Sequence, residues 1–374
     1  MQILAQVKLI IGLCITLLVL VTIPVAAEEL CNVEVLVDQN GLSLQELSFH
    51  LSAGAWQLTA GKQQVHWGPG KLGNLFLSEE SPFCGLVASR SWEIGKYSIR
   101  STQLFAPIDS TKHKVLFAHR LESPLTDNLT LGVNESAIAS GDFTPWLYNP
   151  IPFWPYYLTQ HLVKKDDPQQ DWLINVNLGI DTVYKWSADK EVYGELFIDD
   201  AQSDLQGRTR VPDMFGIMLG FHDKELEFWS NTAATVEYVA ITNWVYSHKN
   251  LDNNYVWEDE TPIGHWLGPD ADAITLLLTH GLNPKTDISF KLQAERHGEG
   301  SIDEQWKPEY GHENWFLSGV VEKRYTAGIS LTETLTKYLR VSSKLDWTRR
   351  YNAGNELGKT TEGFDLDIEA SLSF

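Results

Sequence analysis

The last eleven residues constrain this chain most. From Phe364 the apolar positions are Phe364, Leu366, Ile368, Ala370, Leu372 and Phe374, separated by Asp365, Asp367, Glu369, Ser371 and Ser373. Alternation with period 2 makes one face of an extended strand apolar and the other polar, whereas a helix would scatter the same residues around its axis. Eleven residues is also the length of a tilted strand that crosses a bilayer. In lipid such a strand must pair every backbone polar group, which requires a closed barrel.

The same grammar recurs upstream. Strand-like segments fall at 30–38, 43–52, 55–66, 84–91, 95–106, 112–121, 126–139, 171–186, 189–199, 212–222, 225–248, 271–281, 286–297, 314–331 and 337–349. Trp172, Ile174, Val176, Leu178 and Ile180 alternate with Asn175, Asn177 and Asp181 on the opposite face. The stretch 225–248 is long for one strand and predicts a bulge near Ala233-Ala234. Short turns (Ser187 to Lys190, His222 to Glu225, Gly281 to Thr286, Leu331 to Thr336) alternate with long loops at 66–83, 140–170, 200–211, 249–270, 298–313 and 350–361. The expected fold is therefore all-β: a transmembrane antiparallel β-barrel of about 16 strands, between 14 and 18, with long external loops and short periplasmic turns. Its terminal Phe374 resembles the closing residue of bacterial outer-membrane proteins, which the barrel-assembly machinery reads. Aromatics near strand ends (Trp186, Trp229, Trp244, Tyr246, Trp315, Trp347) suit interfacial girdles in contact with lipid.

The N-terminus sets the compartment. Lys8 precedes an apolar run from Leu9 to Val21, then Pro24, the small pair Ala26-Ala27 and Glu28-Glu29. This is the order of a cleaved secretory signal, so residues 1–27 are expected to be a leader and 28–374 one barrel domain. Cys31 and Cys84 are then the only mature cysteines. In an oxidising compartment two cysteines most simply pair, so a disulfide between them is expected.

Composition excludes some functions. A net charge of −20 argues against nucleic acid as a partner and against docking on an anionic membrane face. The eleven histidines form no His-Glu-x-x-His motif, and neither a Gly-x-Ser-x-Gly elbow nor a phosphate-cradling loop is present. His280 with Ser289, or His312 with Glu313, lacks a third orienting partner. No catalytic residue and no cofactor is expected.

Three separated motifs carry a family resemblance. They are His66-Trp67-Gly68-Pro69-Gly70 with Leu75-Phe76-Leu77-Ser78, Tyr193-Gly194-Glu195-Leu196-Phe197-Ile198-Asp199-Asp200, and Ile263-Gly264-His265-Trp266-Leu267-Gly268-Pro269-Asp270-Ala271-Asp272. In this order, across roughly residues 55–300, they resemble the Wzi-type capsule assembly proteins. The resemblance implies an outer-membrane barrel that holds capsular polysaccharide in a lectin-like, non-catalytic way. The chain departs from that pattern at its front, where only about 40 residues of the expected mature chain precede Trp67, so the resemblance does not carry over the family's periplasmic helical element or a strand pair there. Physically, Gly68-Pro69-Gly70 specifies a tight bend, suited to a polysaccharide platform or, better, to anchoring a plug. Asp199-Asp200 and Asp270 with Asp272 offer oxygen ligands for calcium or acceptors for sugar hydroxyls. Neither has a known calcium-loop spacing, and pairing with Arg208, Arg210 or Arg296 accounts for them equally well, so a metal site is left open.

The loops carry the sugar-binding expectation. Trp146, Tyr148, Trp154 and Tyr156 lie among prolines in 140–170, Trp257 and Trp266 among acids and amides in 249–270, and Trp306 in 298–313. Aromatic faces pack on the C–H faces of pyranose rings, and rigid loops hold them in place at low entropic cost. These residues are the candidates for binding capsular or extracellular polysaccharide. The competing reading is a porin-like channel, because sixteen strands enclose an aqueous pore unless it is filled.

Overall fold

The computed structural model describes residues 25–26, 31–39, 41–78, 82–140, 155–156, 174–200, 212–311 and 314–374. Sixteen strands are formed: β1 (Cys31–Asp38), β2 (Gly41–Ala53), β3 (Trp56–Gln63), β4 (Phe83–Ile94), β5 (Tyr97–Asp109), β6 (Lys114–Pro124), β7 (Leu129–Ala139), β8 (Ile174–Lys185), β9 (Lys190–Asp200), β10 (Met214–Asp223), β11 (Thr232–Ile241), β12 (Ala271–Asn283), β13 (Thr286–His297), β14 (Glu322–Thr334), β15 (Leu339–Tyr351) and β16 (Thr360–Ser373). Each pairs antiparallel with its sequence neighbours, and β16 closes the barrel on β1 through Ala370↔Val37 to Ser373↔Glu34. The main chain of Phe374 extends the seam by exchanging hydrogen bonds with Val33, at 2.9 and 3.2 Å. The expected leader lies outside the described residues except for Val25 and Ala26, which pair with Ala53 and Ser52.

Alternation governs the wall as the sequence predicts. On β16 the polar residues turn inward, while Phe364, Leu366 and Ile368 are exposed on the outside. Opposite strands place residues in register on the same face. The outer wall therefore reads Ile288, Phe290 and Leu292 on β13, Ile329 and Leu331 on β14, and Leu345 and Trp347 on β15. Connections between strands are short at one end, the turn end, and mostly long at the other, the loop end.

Two strand expectations need correction for a common reason. The segment 225–248 contains only ten strand residues, Thr232–Ile241, in unbroken register with β12, so the bulge near Ala233 is not formed. Residues 242–248 leave the wall and enter the lumen, and Trp244 and Tyr246 are buried there instead of joining a girdle. Likewise 314–321 is loop, and the strand begins at Glu322. Both segments are apolar enough to imitate strands; 242–247 bury that surface inside the barrel, while 314–321 stay half-buried or exposed in the loop.

The disulfide is also corrected. Register carries Cys31 to Phe49, Phe49 to Ala60, and Lys62 to Cys84. Three inter-strand steps of about 4.8 Å exceed the roughly 7 Å limit between bridged Cα atoms. Cys84 is a free thiol.

Candidate functional site: a plugged, roofed lumen

The loop end of the lumen is filled by the β3–β4 connection. Residues 66–78 fold inward, and Leu75, Phe76 and Leu77 are fully buried. The bend forms because Gly68 adopts a φ of +134°, which a side chain would strain. Asn74 Oδ1 then accepts from Gly70 N at 2.9 Å, and the Trp67 ring stacks on Phe76 with centroids 6.2 Å apart.

A buried loop must satisfy its backbone polar groups, and the barrel wall supplies the partners. Glu195, pointing inward from β9, accepts from Leu75 N at 2.7 Å and from Phe76 N at 2.9 Å. Glu237 on β11 accepts from Lys71 N at 3.0 Å and from the Tyr193 hydroxyl at 2.8 Å. Lys71 Nζ pairs with Glu191 at 2.8 Å. A second loop, 242–270, provides the donors for the carbonyls. Tyr246 and Tyr255 donate their hydroxyls to Leu75 O and Phe76 O, both at 2.8 Å, and Trp266 Nε1 donates to Leu72 O at 2.9 Å. Burial raises both tyrosine pKa values, so the hydroxyls stay protonated donors. Gly264 allows this close approach, because a Cβ there would lie 2.3 Å from Leu75 O.

His265 completes the packing. Its Nδ1 accepts from Leu267 N at 3.2 Å, and burial pushes its pKa down to about 3, so it is neutral at physiological pH. Below the plug the lumen is polar, and Arg120 forms a two-pronged contact with Asp181 at 2.5 and 2.9 Å.

The candidate residues separate into distinct roles. Trp67, Gly68, Pro69 and Gly70 build the plug. Asp199 accepts from Tyr246 N at 2.6 Å, which fixes the second loop. Gly268 adopts a φ of +71° and Pro269 follows it into β12. Asp270 is fully buried and gathers three segments, accepting from Gly300 N at 2.9 Å, from Ser318 N at 3.1 Å and from Ser318 Oγ at 2.5 Å. Asp272 faces outward instead, paired with Arg296 at 2.5 Å. Asp270 and Asp272 therefore do not share a cation. Among the described residues no group of three or more His, Cys, Asp or Glu is arranged to hold a metal. Asp200 ends β9 half-buried, and Arg208 and Arg210 lie outside the described residues.

The aromatic candidates also divide. Trp146, Tyr148 and Trp154 lie outside the described residues. Trp257 is buried in the lumen, stacked on Phe83 at 5.2 Å. Tyr156 is buried at the loop end of the wall, 4.7 Å from the His119 ring, with its N–H donated to Glu135 at 2.8 Å. Neither residue offers a free face for a sugar. Trp266 and Trp306 are half-buried, and the indole N–H of Trp306 is held by Gly311 O at 3.0 Å. Around Trp306 stand half-buried Tyr310 and exposed Asp303, Glu304 and Glu309, and Tyr310 donates to Glu304 at 2.7 Å. The pair His280 and Ser289 does not meet: His280 binds Thr232 Oγ1 at 2.8 Å, while Ser289 binds Thr279. His312 and Glu313 lie outside the described residues.

Sequence reasoning missed Glu195 and Glu237, the two carboxylates on which the plug hangs. The available signal was a carboxylate at an inward strand position between apolar residues, as in Tyr193-Gly194-Glu195-Leu196-Phe197.

Comparison with known proteins adds the following. The family described as capsule assembly protein Wzi matches residues 15–361. Among solved structures, Wzi of Escherichia coli, described as an outer-membrane carbohydrate-binding β-barrel involved in group 1 capsule assembly, aligns with a TM-score of 0.61 and 15% identity, covering 94% of this chain and 76% of that one. OccAB2 of Acinetobacter baumannii aligns at 0.47 and 12% identity over 88% of this chain and 76% of its own. The outer-membrane channel DcaP of the same organism aligns at 0.42 and 10% over 94% and 97%. No curated protein matches the sequence.

Proposed function

Because this chain belongs to the capsule assembly protein Wzi family, we propose that it binds and holds capsular or other extracellular polysaccharide at the cell surface, without catalysing a reaction. The reading includes a leader removed after Ala27, a barrel seated in outer-membrane lipid, and Phe374 as the residue recognised by the assembly machinery. With the C-terminus in the periplasm, the loop end faces outward.

The observation that carries this reading is the packed roof. A wall that dedicates Glu195 and Glu237 to plug backbone, and a second loop that dedicates Tyr246 and Tyr255 to the same segment, favour a fixed external surface over an open pathway. Such rigidity suits a polymer-binding platform, because little order is lost on binding. The described residues best placed for it are Trp266 and Trp306, with Tyr310 and the acids around it. Trp146, Tyr148 and Trp154 extend the proposal to the 140–170 loop. The family's role in capsule assembly and the carbohydrate binding of the Escherichia coli protein agree with it.

The direct test compares surface-bound with released polysaccharide in cells lacking the gene and in cells carrying it back. Polymer that is made but shed without the protein is the expected result. Unchanged attachment sinks the proposal. The porin-like alternative is tested separately by planar-bilayer conductance of the purified barrel, which is expected to be small and unsteady.

A further inference from the structure

The outer wall carries a feature that neither the plug nor a polysaccharide uses. At the loop end of β13, β14 and β15 three cations stand outside the barrel: Arg296 and Lys323, each one residue from the end of its strand, and Arg349, two residues from the end of its own. Register sets Arg296 opposite Lys323, and Lys323 opposite Tyr351, while Tyr325 pairs with Arg349 and Ala327 with Trp347. Lys323, Tyr325, Trp347, Arg349, Tyr351 and Asn352 line an open groove of about 570 Å³. Its walls are aromatic: Tyr325 and Tyr351 meet edge to face at 6.1 Å, and the Arg349 guanidinium lies 5.0 Å from the Tyr351 ring.

Two of these cations, Lys323 and Arg349, are incompletely neutralised. Arg296 is held by Asp272, which also accepts from Tyr238, yet its side chain is half-exposed. Lys323 is exposed, and its ammonium has no hydrogen-bond or ion-pair partner among the described residues. Arg349 reaches Glu362 only at 3.9 Å, and its covered Nε has no hydrogen-bond partner. In a chain of net charge −20, an outward row of three cations is a local reversal.

Height supplies the second argument. Below the groove the lipid-facing band on β16 runs from Phe364, paired with Trp347, to Leu372. At about 3.4 Å per residue that is about 27 Å along the strand, or about 20 Å of height at the usual tilt of about 40°, most of the apolar band of about 25 Å of an outer-membrane barrel. The groove therefore sits where acyl chains end and headgroups begin, and interfacial aromatics belong at that depth. Guanidinium and ammonium groups there bind phosphate through charge-assisted hydrogen bonds, and basic clusters beside apolar wall recognise phosphorylated headgroups.

We infer that this groove is a binding site for the phosphate-bearing headgroup of a lipid in the outer leaflet, with Lys323 and Arg349 as the phosphate ligands, Arg296 in support, and Tyr325, Trp347 and Tyr351 packing on the start of its chains. The inference rests on the barrel lying in a bilayer and not on polysaccharide binding. The test uses the full barrel in detergent and native mass spectrometry with bisphosphorylated lipid A, dephosphorylated lipid A or inorganic phosphate as probe. Tighter retention of the bisphosphorylated lipid is expected, by at least tenfold over either other probe. In Lys323→Ala/Arg349→Ala that preference is expected to vanish, while a turn-end control, Lys285→Ala/Lys337→Ala, keeps it. Retained heat-modifiable migration establishes that each variant is folded, and the single variant Lys323→Ala, expected to lose part of the preference, serves if the double variant is not. Equal retention of all three probes, or a preference unaffected by removing Lys323, overturns the assignment. Inorganic phosphate bound as tightly as the lipid would overturn the lipid as its source.

Discussion

The C-terminal hairpins β13–β16 and the plug at residues 66–78 solve opposite problems. The hairpins turn apolar side chains to the outside of the barrel and need only alternation, so each outward residue can be exchanged for another apolar one at little cost. The plug is irregular backbone inside a barrel, where every N–H and carbonyl must find a named partner. Thirteen register pairs join β15 to β16, and none depends on a particular side chain. In the plug, two N–H groups depend on the single carboxylate of Glu195. Strand stability is thus distributed, while plug stability is concentrated in a few residues.

That contrast can be broken at its strongest point first. Glu195→Ala leaves two buried N–H donors without an acceptor and is expected to destabilise the seated plug by about 2–5 kcal/mol. Steady conductance steps in a planar bilayer, absent from the parent, would report it; an unchanged trace would show that the wall does not hold the plug. Phe76→Ala removes a fully buried ring between Trp67, Phe197 and Tyr255, at a cost of about 3–5 kcal/mol in a rigid core. It leaves the hydrogen bonds in place, so proteolytic nicking of the loop is expected to increase before conductance does.

His265 sharpens the comparison through pH. Its pKa is about 3 when packed and near 6.5 when exposed. The released loop therefore binds the additional proton, and plug stability falls as pH drops from about 6.5 toward 3, by up to about 1.4 kcal/mol per unit. Above about 6.5 the term is constant. Conductance recorded from pH 7.5 to 4 should show opening on acidification in the parent and a weaker dependence in His265→Gln. Identical profiles would remove His265 from the account. The smallest structural effect is expected from Trp306→Ala, which is half-buried on the roof. Assembly and conductance should match the parent while retained polysaccharide falls severalfold, and full retention would move the binding surface elsewhere.

Much of the barrel was legible because a strand's side-chain period is a local property. Ile174 to Ile180 and Phe364 to Phe374 reveal their faces without reference to any neighbour. The site was legible only in part. The bend at Gly68-Pro69-Gly70 shows its backbone requirement in the sequence, but Glu195, which holds Leu75 of the same loop, lies 120 residues from it, and no local pattern joins them. Trp244 and Tyr246 looked like girdle residues because an aromatic near a strand end has the same sequence signature whether it meets lipid or lumen. Trp257 and Tyr156 looked like sugar platforms for a similar reason, since composition reports an aromatic face and not what covers it.

By itself, then, the sequence determined an all-β barrel of about sixteen strands, its alternation and its family, because each follows from short-range periodicity or from motifs read in order. Only the tertiary structure decided that the lumen is filled, that Cys31 and Cys84 stay apart, and which acids hold backbone instead of cations. Those outcomes depend on which distant segments come to share the inside of the barrel, and closure of the sheet fixes that.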